Sequence, residues 1–289
     1  MSVNVSTLLP SQHQIAHGKA ISETAFSHAD ANRVGPNPYL SLGDATRAYF
    51  GDSRTTSLLA HPVELDSNFR RYHSLNGKFE LRASEWRLST TTGSLATARM
   101  VEISGAKNEI LNTWIFPHQP LVTPIFAAEL IGVARSPRVA FIDIQAIGPA
   151  PSVKELRPTD SRLVGSSKAM NLAAKWSSSA KTLISELSCD EVPPDWAIDA
   201  SAGHFFFTRT TDRAAFQTIQ DAYLAYLKTY CVALGQHLPE PESDSTGTEM
   251  LAEYQQHHRA SSPGTKFLST LFGLDWTDSF LTQFLFSTP

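Results

Sequence analysis

The sequence predicts an α+β fold, a layered sandwich around one central antiparallel sheet. Between residues 78 and 147, short apolar runs are punctuated by Gly105, Pro117-His118-Gln119-Pro120 and Ser136-Pro137, with no helix-length segment between them. That texture belongs to antiparallel strands joined by hairpins, not to βαβ units. Beyond this block the pattern turns helical, with one late strand among the helices. With 289 residues, 42% of them hydrophobic, the chain can bury one large core or two modest ones. No internal repeat or low-complexity tract divides it, so a single domain over residues 1–289 is expected.

Taken in order, residues 1–77 mix short helical segments with turns such as Gly35-Pro36-Asn37-Pro38 and read as helices covering a sheet. Strands are predicted over 79–88, 95–104, 109–116, 122–133 and 138–146. Residues 167–187 have the spacing and alanine content of a helix, closed by Pro193-Pro194-Asp195-Trp196. A late strand over 204–209 returns to the sheet. Thr211-Asp212 offers an N-cap for a helix to about residue 232, in which Phe216, Ile219, Tyr223 and Leu227 recur at helical spacing. The Pro- and acid-rich stretch 238–248 reads as a solvated loop. Helices follow over 250–260 and 264–286, interrupted by Ser261-Ser262-Pro263.

Composition excludes several function classes. Net charge is −4 and the basic residues are scattered, so nothing in the chain attracts a phosphate backbone and nucleic acid is not an expected partner. The two cysteines, Cys189 and Cys231, lie far apart without a CxxC pair. That argues against a disulfide scaffold, a zinc site or an iron–sulfur site. Redox chemistry would need electrons from outside. No run of about 18 apolar residues occurs, so no membrane span is expected. The N-terminus lacks a basic start followed by an apolar run, which makes a cytoplasmic protein the simplest reading. Its Ser-rich, acid-poor leader leaves plastid import as the weaker alternative. Dinucleotide, P-loop, GxSxG, HExxH and EF-hand signatures are all missing. His257-His258 reads as part of a solvated helix surface, because adjacent helix residues do not face one site.

The informative residues are polar groups set into apolar strands. Glu129 stands in Ile125-Phe126-Ala127-Ala128-Glu129-Leu130-Ile131, a run with no other charge. Burying it is costly unless it is paired or protonated. Asn112 interrupts Ile110-Leu111-Asn112-Thr113-Trp114-Ile115-Phe116, and Glu102 is flanked by Val101 and Ile103. If the three strands are neighbours, Glu102, Asn112 and Glu129 are expected to project from one sheet face into a pocket.

These strands, with Pro117-His118, Pro124 and Ala140-Phe141-Ile142-Asp143-Ile144-Gln145, resemble the central sheet of the ferredoxin-dependent bilin reductases. The series Tyr254, Arg259, Ser262-Pro263, Leu268, Phe272-Gly273-Leu274-Asp275-Trp276-Thr277, Phe280 and Leu285-Phe286 is similar to that family's closing signature. The resemblance covers roughly residues 78–286. It implies a three-layer α/β/α sandwich around one central antiparallel sheet, with a linear tetrapyrrole held between the sheet and the C-terminal helices. Electrons would come singly from reduced ferredoxin and protons from side chains, with no bound flavin, nicotinamide or metal. Heme oxygenase or a second bilin reductase would be the partner for substrate hand-over, and the chain would act as a monomer.

Position by position, the resemblance places Glu129 where most members have their principal proton-donating Asp. Asn112 falls where phycoerythrobilin- and phytochromobilin-forming members have Asn, and phycocyanobilin-forming members His. Glu102 falls on a Glu used by the phycocyanobilin-forming members. Ser262 sits where many members carry a second Asp. Arg209 matches a strand-end Arg. Glu129, Asn112 and Glu102 are thus the expected catalytic residues, and Met100, Asp143, Gln145, Arg209, Ser261 and Ser262 the expected substrate contacts. Glu in place of Asp moves the acid by one methylene, and an error of about 1 Å in a reacting pair can cost roughly 10²-fold. A Glu there is also similar to the red chlorophyll catabolite reductases. The expected activity is reduction of biliverdin or dihydrobiliverdin in one two-electron step. The alternatives are a non-catalytic bilin carrier and a red chlorophyll catabolite reductase-like enzyme.

Overall fold

The structure, a computed structural model, describes residues 38–51, 58–134, 136–147, 161–184, 201, 205–237, 246–261 and 263–287. In chain order the elements are α1 (Pro38–Gly51), β1 (Leu59–Val63), α2 (Ser67–Arg70), β2 (Arg71–His73), β3 (Phe79–Thr90), β4 (Gly93–Gly105), β5 (Asn108–Pro117), β6 (Ile125–Val133) and β7 (Ser136–Gln145). There follow α3 (Ser161–Lys181), β8 (Phe206–Arg209), α4 (Ala215–Gln236), α5 (Thr246–Ser261), α6 (Pro263–Phe272), α7 (Leu274–Phe280) and a π-helical turn, Leu281–Leu285.

All eight strands form one antiparallel sheet in the order β1-β3-β4-β5-β6-β7-β8, with β2 alongside β3. The strands from β3 to β7 are a meander, as hairpin-length connections require. Because side chains alternate along a strand, each strand feeds two cores. Leu88, Ala96, Ala98, Met100, Leu111, Ile115, Phe126, Ala128, Leu130 and Ile142 pack with α1, α3 and α4. On the opposite face, Leu81, Val101, Ile103, Phe116 and Ile125 pack with Met250, Leu251, Leu268, Phe280 and Phe284 of the C-terminal helices. The expected three-layer α/β/α architecture is what forms.

Two tyrosines of α4 dock the first layer with their hydroxyls satisfied. Tyr223 of α4 shares its hydroxyl with Thr46 of α1 and Thr113 of β5, each at 2.8 Å. Tyr230 donates to the Pro124 carbonyl. Buried hydroxyls need such partners, and these tie α1, β5 and the start of β6 to one helix.

Several element boundaries differ from expectation. The N-terminal part contributes β1 and β2 to the sheet as well as helices. β6 starts at Ile125, not 122, because a turn in which Val122 and Thr123 donate to the Gln119 carbonyl consumes the preceding residues. The predicted helix over 264–286 is broken at Gly273, whose φ of 93° suits glycine far better than other residues. Helix α5 begins at Thr246, inside the stretch read as loop. The breaker at Pro193-Pro194 lies outside the described residues.

Candidate active site

The register sorts strand residues into rows across the sheet. On the face toward the C-terminal helices, one row reads Val101, Asn112, Glu129, Phe141, Phe207. The next row, two residues along, reads Arg99, Trp114, Ala127, Asp143. Gln145 lies beyond it on the same face, opposite Ile125, and Arg209 lies on the other side, opposite Val139. Asn112, Glu129, Asp143, Gln145 and Arg209 are thereby brought together.

Glu102 and Met100 are not. Asn112 pairs with Val101, so Glu102, one residue further on, pairs with Leu111 and points to the opposite face. There it accepts from both terminal nitrogens of Arg47 in α1, at 2.5 and 3.2 Å. Met100 is wholly buried in the core shared with α1 and α4. The expectation that Glu102 joins Asn112 and Glu129 in one pocket is therefore corrected, and Met100 cannot touch a ligand on their face. Ser261 ends α5, and Ser262 lies outside the described residues.

The exposure pattern locates a gap over the sheet. On β5 and β6, Ile110, Asn112, Trp114, Glu129 and Ile131 stay partly exposed, whereas Leu111, Thr113, Ala128 and Leu130, which face the other layer, are buried. The C-terminal helices thus leave the centre of this face uncovered. Glu129 opens onto that gap, yet burial pushes its carboxyl up to about 7, with no cation acting on it. Asp143 is wholly buried and pushed up to about 7 for the same reason, against the lowering effect of hydrogen bonds from Ser201, the Ile144 N–H and Gln145. One oxygen of Asp143, and the amide oxygen of Asn112, are buried without a hydrogen-bond partner. Buried polar atoms are rarely left unpaired, so each is a place where a ligand could bond.

Helix α5 walls the gap with Tyr254 and His258, neither of which is among the expected site residues. Tyr254 and His258, four apart, share one helix face. The His258 ring lies 5.2 Å from Trp114, edge to face, and 4.4 Å from Tyr254. Tyr254 donates to the side-chain oxygen of Gln145. His257 is exposed as expected, but His258 is buried, and burial lowers its pKa to about 4, which keeps it neutral at physiological pH. The 251, 254, 255, 258 spacing of Leu, Tyr, Gln and His was the available signal. Arg259, at the end of α5, has a buried Nε without a hydrogen-bond partner. Arg209 holds its guanidinium 5.6 Å from the Phe207 ring.

An open floor of Asn112, Trp114 and Glu129, with Ala127 and Asp143 buried at its edge, under an aromatic wall can hold a flat apolar ligand and deliver protons to it. The phycocyanobilin:ferredoxin oxidoreductases of Synechococcus sp. and Synechococcus elongatus are each 25% identical over 187 residues, which is 64% of this chain and 68% of theirs. The crystal structure of tomato phytochromobilin synthase in complex with biliverdin superposes with a TM-score of 0.60 at 18% identity, over 84% of this chain and 82% of that one. Residues 52–287 match the family described as ferredoxin-dependent bilin reductase, so the chain belongs to that family of oxidoreductases.

Proposed function

We propose that the chain reduces biliverdin or dihydrobiliverdin by one two-electron step, with reduced ferredoxin as external donor and Glu129 as proton donor. The observation that carries this reading is a carboxyl with no counter-ion among the described residues, half-open to a gap and raised to about 7 by burial. At neutral pH such a group holds its proton for much of the time and can give it up to a stronger base. One-electron reduction makes a conjugated tetrapyrrole that base.

The remaining residues orient the ligand. Asn112, across the strand pair from Glu129, offers an amide to the lactam and pyrrole edge, and favours a phycoerythrobilin-type over a phycocyanobilin-type product. Trp114, Tyr254 and His258 contact the flat face. Arg209 and Arg259 supply positive charge for the propionates. Gln145 and Ser261 complete the substrate contacts, and the serine at position 262 supplies no acid for a further reduction.

The deciding experiment is anaerobic. Stoichiometric biliverdin is added to the protein, then a ferredoxin reducing system, and the absorption spectrum is followed. Consumption of the bilin band with formation of a dihydro product is expected. A band that shifts on binding but survives reduction would identify a carrier and overturn the reading. Dihydrobiliverdin and the red chlorophyll catabolite, run in parallel, identify the substrate. Ser262→Asp is expected to extend reduction beyond the wild-type product.

A further inference from the structure

A two-electron reduction of a carbon–carbon double bond consumes two protons, and Glu129 holds one. We infer that Asp143 is the second acid of the site and delivers the other proton to the bound tetrapyrrole. The inference rests on the bilin-reductase reading above and adds a residue to it.

The register places Asp143 on the same face as Glu129, one strand over and two positions along. Such diagonal neighbours have Cα atoms about 7–8 Å apart, which lets two carboxyls address different atoms of one extended conjugated ligand. Ala127, opposite Asp143, keeps one flank of this diagonal low, while Phe141, opposite Glu129, lines the other.

Asp143 is also held in one orientation. Its Oδ1 accepts the Ile144 N–H at 2.8 Å. Ser201 and Gln145 bond to the same carboxyl. The Gln145 oxygen is occupied by the Tyr254 hydroxyl, which leaves the Gln145 NH2 as the group that donates to Asp143. Among the described residues these are the donors to Asp143, and Oδ2 is left buried with no partner. A merely structural carboxyl would satisfy both oxygens, since an orphaned buried acceptor costs about 1–3 kcal/mol. A proton on Oδ2, directed at a ligand, removes that penalty. Among the described residues, the groups facing Asp143 are Ala127 and Glu129 of β6, Gln145 and Ser201, and Tyr254 of α5, with Tyr226 of α4 close enough to feel its charge, and no cation stands among the causes acting on its titration. Burial accordingly favours its neutral, proton-bearing form.

The balance closes. One reduced ferredoxin gives an electron to the bilin, and Glu129 gives a proton, leaving a neutral radical. A second reduced ferredoxin gives the second electron, and Asp143 protonates the remaining carbon. The π bond is lost, two C–H bonds form, two ferredoxins are oxidised, and two carboxylates remain to be reprotonated from water.

The test uses the full chain with bound biliverdin, titrated anaerobically with reduced ferredoxin and followed by absorption and electron paramagnetic resonance. Asp143→Asn keeps the shape and is expected to bind biliverdin and accept the first electron at the wild-type rate. The resulting organic radical should then persist about 100-fold longer than in wild type, the scale of one lost proton transfer. Asp143→Glu should shorten it again. Turnover of Asp143→Asn at the wild-type rate would overturn the assignment. Wild-type protein that binds biliverdin without consuming it would instead overturn the underlying reading. Should Asp143→Asn not fold, infrared spectra of the Glu129→Gln complex decide. A protonated aspartate band that shifts on 13C-aspartate labelling is expected in the bound complex, and its absence at neutral pH sinks the proposal.

Discussion

At the scale of single residues, Glu129 couples stability to chemistry. Its carboxyl rises from an ordinary 4.5 to about 7 on folding, because burial disfavours the charged form. The unfolded chain therefore ionises first as pH rises. The contribution is fully present below about pH 4.5 and is lost progressively up to about pH 7. Glu129→Gln removes that loss. Ligand-free Glu129→Gln should match wild type near pH 4 and exceed it near pH 8, by on the order of 1–2 kcal/mol in urea denaturation, the partly exposed carboxyl keeping some hydration. The same variant should bind biliverdin and stall in turnover, since an amide keeps the shape but cannot give up a proton. Equal pH profiles of stability for the two proteins would show that Glu129 is not held protonated.

At the scale of elements, the pairing of α1 with β4 explains why an apparently catalytic glutamate is structural. Gly43 brings α1 so close to the sheet that a Cβ there would overlap Glu102 Oε1. The ion pair of Glu102 with Arg47 closes the contact. Gly43→Ala should cost about 1–3 kcal/mol by overpacking this contact. Biliverdin binding and turnover, on the opposite face, should be unchanged at temperatures where the variant is folded. A selective loss of turnover without loss of thermal stability would contradict the assignment of Glu102 to the α1 contact. Helix α5 shows the reverse case. The adjacency of His257 and His258 predicts a solvated pair, yet a helix turns about 100° per residue, so one neighbour can be exposed while the other is buried. Its place against Trp114 and Tyr254 follows from how α5 lies over β5.

At the scale of the whole molecule, the C-terminal layer is held to the sheet by Arg99 of β4. This buried guanidinium pairs with Glu85 and donates to the carbonyls of Leu285 and Ser287. It lies within 6 Å of the Phe116 and Phe284 rings, at 5.7 and 5.8 Å. Gln255 of α5 donates to the same Ser287 carbonyl, so the chain end links β4 to the helix that walls the gap. Arg99→Met should destabilise the protein by about 3 kcal/mol, because a buried pair loses one partner. Hydrogen exchange should accelerate first over residues 281–287 and in α5, while β5 and β6 remain protected. Uniform acceleration across the sheet would show that the layer is not separately anchored.

The sequence by itself determined the meander, the late strand, the flanking helices and the acid at Glu129. Each of these rests on local periodicity, on turn chemistry, or on a charge in an otherwise apolar run, and such signals need no knowledge of distant residues. Asn112 beside Glu129 was legible for the same reason. Only the tertiary structure decided which face each residue serves. A shift of one residue in register reverses a side chain's side, which is why Glu102 and Met100 fell to α1 and α4 while Asp143, Gln145 and Arg209 joined Glu129. The partners of a buried group were equally hidden, because the Tyr254 hydroxyl that fixes Gln145 lies 109 residues away along the chain and meets it only when the layers close.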